Sequence, residues 1–195
     1  IGTWNPHIRS LIAYNSESKV VESMRPNGVL LAQITPRGGR ISGTSSVVQL
    51  DAWNWEDAVV KENGGIHLNW PSTLSRGRSW LGEDSGLKSN PKYSIQTTEI
   101  EAYFKHSKAN SKSSRGIQNL PLNAMKGLFN NSKTLFIHVN DEKGIWDAVE
   151  FSKKQGITKV VIVGGYETYK LGTYLKENNV SVLLQRVHSR PTNDD

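Results

Sequence analysis

Apolar residues in the last third of the chain fall into two alternating patterns. Thr134-Leu135-Phe136-Ile137-His138-Val139 is a short apolar run of strand type. Residues 142–155 follow, with Ile145, Trp146, Val149 and Phe151 at amphipathic helical spacing and Gly156 as the stop. Val160 to Val163 is a second strand, ending at Gly164-Gly165. Residues 167–178 read as another helix, with Tyr169, Leu171, Tyr174 and Leu175 toward the core, and residues 180–184 as a third strand. This order implies parallel pairing with right-handed crossovers. Runs that are apolar throughout, rather than alternating, predict a sheet covered on both faces.

The first third is less regular. Residues 16–25 suit a helix with Ser16 as N-cap and Pro26-Asn27-Gly28 as the stop. Residues 29–34, 46–50 and 66–70 suit strands. From Pro71 to Pro91 no periodicity shows, and Ser, Gly, Arg and Lys dominate, which predicts a mobile or partner-ordered stretch. Helices are expected at 95–109 and 122–129. There is no internal repeat and no low-complexity tract.

Composition narrows the class. The 195 residues, 36% hydrophobic and 22% charged, fit one globular domain with a sizeable core. No apolar run approaches membrane-span length and no signal peptide is visible. The first residue is Ile1, which predicts a piece of a longer or processed chain. Absence of cysteine excludes disulfides, thiolate metal sites and cysteine nucleophiles, and leaves the compartment open. The net charge of +6 and pI of about 9.5 invite a nucleic-acid reading. The basic residues are dispersed, however, and the densest cluster (Lys105, Lys108, Lys112, Arg115) lacks interleaved aromatics, so no nucleic-acid partner is expected.

Several positions offer chemistry, each with a plainer alternative. His138 ends a strand, where α/β folds place ligands, and an imidazole there can bind metal or move protons. It can equally be a backbone-bonded histidine beside Asn140, with Asp141 as a helix cap. The loop Arg37-Gly38-Gly39-Arg40 through Ser46 can aim N–H groups at an anion, with two arginines adding charge, or simply be a surface loop. Gly164-Gly165 can approach a phosphate or satisfy a tight turn. Trp53, Trp55 and Trp70 near Asp51, Glu56 and Asp57 suggest a sugar platform, or core residues. No His-x-His, His-Glu-x-x-His, Gly-x-Ser-x-Gly or Gly-x-Gly-x-x-Gly is present. The five histidines are His7, His67, His106, His138 and His188, and none forms a close pair in sequence.

The segment NGVLLAQITPRGGRISGTSSVVQLDAWNWEDA (27–58) resembles the imidazolonepropionase-like branch of the amidohydrolase superfamily. So do LFIHVND (135–141), VIVGGYETYK (161–170) and the stretch from Val182 through Arg186 and His188 to Ser189. The resemblance covers nearly the whole chain. It implies a (β/α)8 barrel and a divalent, zinc-type metal that activates water to hydrolyse non-peptide or cyclic amide bonds. It makes His138 the fifth-strand metal ligand. The sixth-strand histidine is missing, with Tyr166 the nearest polar substitute, and His67 falls where many relatives carry a lysine. Arg186 and His188 become possible substrate contacts.

The resemblance implies that the family's His-x-His pair and final aspartate should lie outside this chain. About six strands are legible, against the eight strands and roughly 250 residues of a whole barrel. The expectation is therefore an α/β fold: a single partial barrel domain over 1–195, with a loop-rich excursion at about 37–97. Such a piece should be inactive alone, hold no metal tightly, and self-associate through exposed sheet edges. A small-molecule amide would be the parent's substrate, with no membrane partner. The competing reading is a non-catalytic small-molecule or sugar-binding α/β module.

Overall fold

The computed structural model describes residues 2–76, 86–112 and 119–185. A six-stranded sheet forms its centre: β1 (Leu31–Ile34), β2 (Ile41–Gln49), β3 (Val59–Asn69), β6 (Thr134–Val139), β7 (Val160–Gly164) and β8 (Ser181–Leu184), in the spatial order β1-β2-β3-β6-β7-β8. β1, β2 and β3 form an antiparallel meander, whereas β3, β6, β7 and β8 pair in parallel. Two reversals return β1 to the direction of β3, so five of the six strands end on one rim. The sheet curls into a half-barrel flanked by helices, a partial barrel of the (β/α)8 type.

Helices α2 (Tyr93–Lys112), α3 (Leu120–Ala124), α4 (Lys126–Phe129), α5 (Glu142–Gln155) and α6 (Gly172–Glu177) accompany β6 to β8. Their side of the sheet holds the main core, where Ile66, Leu68, Leu135, Ile137 and Ile162 meet Ile100, Phe104, Ile145 and Phe151. Asp141 caps α5 by accepting from Gly144 N, and Gly156 ends that helix at φ +75°. A second core joins Leu11, Val21, Val48, Leu50 and Ala58 under α1 (Lys19–Met24).

The luminal face of β6 corrects the expectation of a sheet covered on both sides. Leu135, Ile137 and Val139 are buried beneath helices, while Thr134, Phe136 and His138 are only half-buried on the concave face. Apolar runs in β6 and β7 match a face that a closed barrel would fill.

Other boundaries shift for physical reasons. Residues 41–46 are not loop: β2 starts at Ile41 and carries polar residues through its buried part. Thr44 Oγ1 donates to the Pro6 carbonyl at 2.7 Å, and Ser46 Oγ accepts from Asn63 N at 2.9 Å. A Cβ at Gly43 would lie 2.5 Å from the Ile8 carbonyl. The strand runs on hydrogen bonds and close backbone approach, which hydrophobic periodicity does not register. β3 likewise begins before Ile66, crossing an irregularity where Asn63 sits at φ +48°.

The first helix starts later than expected, capped by Ser18, while Ser16 Oγ donates to the Trp53 carbonyl. Residues 122–129 divide into α3 and α4, and residues 168–171 form a 3₁₀ turn before α6. Within the stretch expected to lack structure, β4 (Leu74–Arg76) and β5 (Leu87–Ser89) form an antiparallel hairpin, and residues 77–85 lie outside the described residues. No helix among the described residues is long and apolar enough to cross a membrane.

Candidate functional site

His138 is the penultimate residue of β6, and His67 lies near the end of β3. The register pairs His67 with Phe136 and Asn69 with His138, so both histidines project from one face, two residues apart along the strands. His67 Nδ1 lies 2.9 Å from His138 Nε2, and the His67 ring stacks on Phe136 at 4.7 Å with the planes 3° apart. Gly65, on the same face, makes room for this stack: a Cβ there would lie 2.7 Å from Phe136 Cδ2.

Both imidazoles are uncharged at neutral pH. Burial, and then the neighbouring His138, push His67 from 6.5 down to about 3. Burial, and then the positive charge of Arg37, lower His138. Two neutral rings in contact share one N–H between Nδ1 and Nε2, and either nitrogen can hold that proton. The outward His67 Nε2 is buried without a hydrogen-bond partner among the described residues.

The other candidates separate. Asp141 accepts from Gly144 N at 2.8 Å and from Thr73 Oγ1 at 2.7 Å, a capping and tethering role. Gly165 N donates to the Val139 carbonyl at 2.8 Å, so that amide is committed to the fold and not offered to a phosphate. Tyr166 stands two residues beyond β7, where its side chain lines a groove of about 550 Å³ with Leu175, Val182 and Leu184. The tryptophans do not make a sugar platform: Trp70 is buried and donates Nε1–H to Tyr93 Oη at 3.0 Å, whereas Trp53 is 92% exposed. Arg186 and His188 lie outside the described residues.

The sequence offered Arg37 and Arg40 together as the charge of an anion-facing loop, without separating them; here Arg40 Nη1 donates to the Asn69 carbonyl. Arg37 follows the carboxyl end of β1, on the rim that carries His138, and its charge is felt there. The signal lay in the strand-then-loop order, which puts residues 35–40 on the ligand side once β1 is known to run with β3.

The half-barrel has a counterpart among solved structures. An amidohydrolase from Thermotoga maritima MSB8 superposes with a TM-score of 0.81 over 98% of this chain and 51% of that one, at 20% sequence identity. The fold is amidohydrolase-like. The chain spans about half the length of that enzyme, and the likeness concerns the fold alone. No family model matches the sequence, and no curated protein matches it.

The family resemblance implies a zinc-type metal. A hydrolytic zinc site takes at least three protein ligands. Among the described residues no three His, Cys, Asp or Glu side chains gather to hold an ion. His67 and His138 fall short of that number, and one ring nitrogen of each is engaged in the hydrogen bond between them. The described residues therefore do not make a complete metal site.

Proposed function

We propose that this chain is the central part of an amidohydrolase whose complete form hydrolyses a carbon–nitrogen bond in a small non-peptide or cyclic amide, and that the chain alone is catalytically silent. The observation that carries the reading is His138, held at the carboxyl rim of a half-barrel that superposes on half of an amidohydrolase. In the whole protein His138 would be a zinc-type metal ligand, with His67 at its side and the remaining ligands supplied from beyond the described residues. Arg186 and His188 would contact substrate.

The absence of an imidazole at Gly164-Gly165-Tyr166, after β7, favours a second reading, a binding module on the same sheet. One experiment separates the two. The purified chain and the full open reading frame that contains it are dialysed and analysed for zinc, then assayed against a panel of cyclic amides. The proposal expects less than stoichiometric zinc and no turnover from the chain, with both restored in the longer protein. Stoichiometric zinc in the chain would sink the claim of incompleteness, and a metal-free, inactive longer protein would establish the binding module.

A further inference from the structure

A groove of about 700 Å³ opens on the helical side of the molecule, away from the lumen. It lies between the base of the β4–β5 hairpin, the first turn of α2, the start of α5 and the 3₁₀ turn at 168–171. Neither His67 nor His138 lines it. Its volume falls in the usual range of small-molecule sites, about 300–1,000 Å³.

Contacts fix each wall. Thr73 Oγ1 donates to Asp141 at 2.7 Å and Asn90 N donates to the Thr73 carbonyl at 2.9 Å, which ties the hairpin base to the start of α5. Tyr93 Oη accepts from Trp70 Nε1 at 3.0 Å and donates to Asp147 at 2.6 Å. Trp146 stacks on Tyr174 at 4.1 Å, and Tyr174 Oη donates to Glu150 at 2.6 Å. A site held in shape before its ligand arrives loses little freedom on binding.

What those contacts leave over defines the ligand. Glu142 N donates to Glu167 at 2.6 Å and Gly144 N donates to Asp141 at 2.8 Å, so protein carboxylates already occupy the anion-attracting start of α5. Lys170 answers Glu167 at 2.9 Å and lies 3.6 Å from Glu142, while Lys143 lies over the Tyr93 ring, 5.7 Å from its centroid. Charges of both signs therefore stand together in the wall, and neither an anion nor a cation is singled out. Ser89 Oγ, Ser94 Oγ and Trp146 Nε1 make no hydrogen bond among the described residues. Trp146 is 45% exposed and lines the groove with Leu74 and Leu171. Two hydroxyls that both donate and accept, an indole N–H and an open aromatic surface match an uncharged molecule with many hydroxyls and one C–H face. We propose that this groove binds a neutral saccharide, its ring face on Trp146 and its hydroxyls on Ser89, Ser94 and Trp146 Nε1. The site uses neither histidine and no metal, so its failure would leave the hydrolase reading intact, and zinc analysis does not bear on it.

Glucose, galactose, mannose, N-acetylglucosamine, maltose, cellobiose and chitobiose, with indole and inorganic phosphate as controls, test this by calorimetry and by NMR of the isotope-labelled chain. The Trp146 indole signal is assigned by its loss in Trp146→Phe. Expected are saturable one-to-one binding of at least one saccharide, a shift of the Trp146 indole signal, and unmoved His67 and His138 ring signals. Trp146→Ala should abolish binding and Trp146→Phe should keep part of it. Ser94→Ala should bind about three- to tenfold more weakly with an unchanged unfolding midpoint, which reads the site even where Trp146→Ala fails to fold. Trp53→Ala, at an exposed tryptophan outside the groove, should change nothing. Absence of binding by every saccharide, binding that leaves the Trp146 signal unmoved, full affinity in Ser94→Ala, an equal loss in Trp53→Ala, or binding of indole or phosphate in place of the saccharides would each overturn the proposal.

Discussion

Nδ1 of His67 and Nε2 of His138 meet at 2.9 Å across the parallel pair β3 and β6, two residues apart along the strands. Each ring needs the other, because the stack on Phe136 and the surrounding wall give His67 no second hydrogen-bond partner among the described residues. The pair stands on the luminal face beside Phe136, with the polar Thr134 and Asn69 on the same two strands.

A pH dependence of stability follows. Folded His67 binds a proton only near pH 3, while the unfolded chain does so near 6.5. Between those values the unfolded state binds more protons, so stability rises with pH. It is complete above the unfolded value and is lost as pH falls toward the folded one. The slope should approach about 1.4 kcal/mol per pH unit. Urea midpoints measured between about pH 4 and pH 7 should show it in the wild type, and His67→Phe should flatten it. An unchanged slope in that variant would assign the effect to other groups.

Gly65→Ala should disturb the pair without touching it. The new Cβ would press on the Phe136 ring and lie 2.8 Å from Ser45 Oγ. Overpacking of this kind costs about 1–3 kcal/mol. The expected result is a lower denaturation midpoint together with altered histidine ring signals. A lower midpoint with unchanged His67 and His138 signals would show that Phe136 does not position them.

How much of this was legible beforehand depended on what stabilises each element. The βαβαβ unit from Thr134 to Leu184 is held by aliphatic burial, and its strands and first helix stand within a residue or two of the pattern, while the second helix opens as a 3₁₀ turn and becomes α-helical only at Gly172. β2 is held by hydroxyl hydrogen bonds and glycine contacts, so its first half read as loop. His138 was visible as a strand-end histidine. Its partner His67 was singled out only through the resemblance, and not as a neighbour of His138, because β3 and β6 are separated by three helices and a hairpin and only the register brings His67 opposite Phe136.

Among the described residues both outer strands leave one backbone edge unpaired, and apolar side chains stand beside them: Leu31 on β1, Leu183 and Leu184 on β8. Open edges of this kind recruit further strands. We expect concentration-dependent self-association in light scattering, reduced by Leu184→Lys. A monomer across the whole concentration range would mean that the edges are protected by the curl of the sheet or by residues outside those described.

Asp141 separates structural from chemical importance at the rim. It stands three residues beyond His138, a spacing that invites a catalytic role. Its oxygen Oδ2 is nonetheless taken twice, by Gly144 N at 2.8 Å and by Thr73 Oγ1 at 2.7 Å. The first contact starts α5, and the second ties that start to the segment leading into β4. Replacing an N-cap carboxylate by alanine costs about 1 kcal/mol, and loss of the Thr73 contact adds to it. Asp141→Ala should therefore lower the midpoint of thermal unfolding, and Asp141→Asn, which keeps an accepting oxygen, should recover most of that loss. Thr73→Val should destabilise less than Asp141→Ala, and the double variant should cost less than the sum of the two, since they share one contact. In all of these variants the histidine ring signals should persist. If Asp141→Asn left the fold as stable as wild type yet shifted the His67 and His138 ring signals, Asp141 would belong to the site and not to its scaffold.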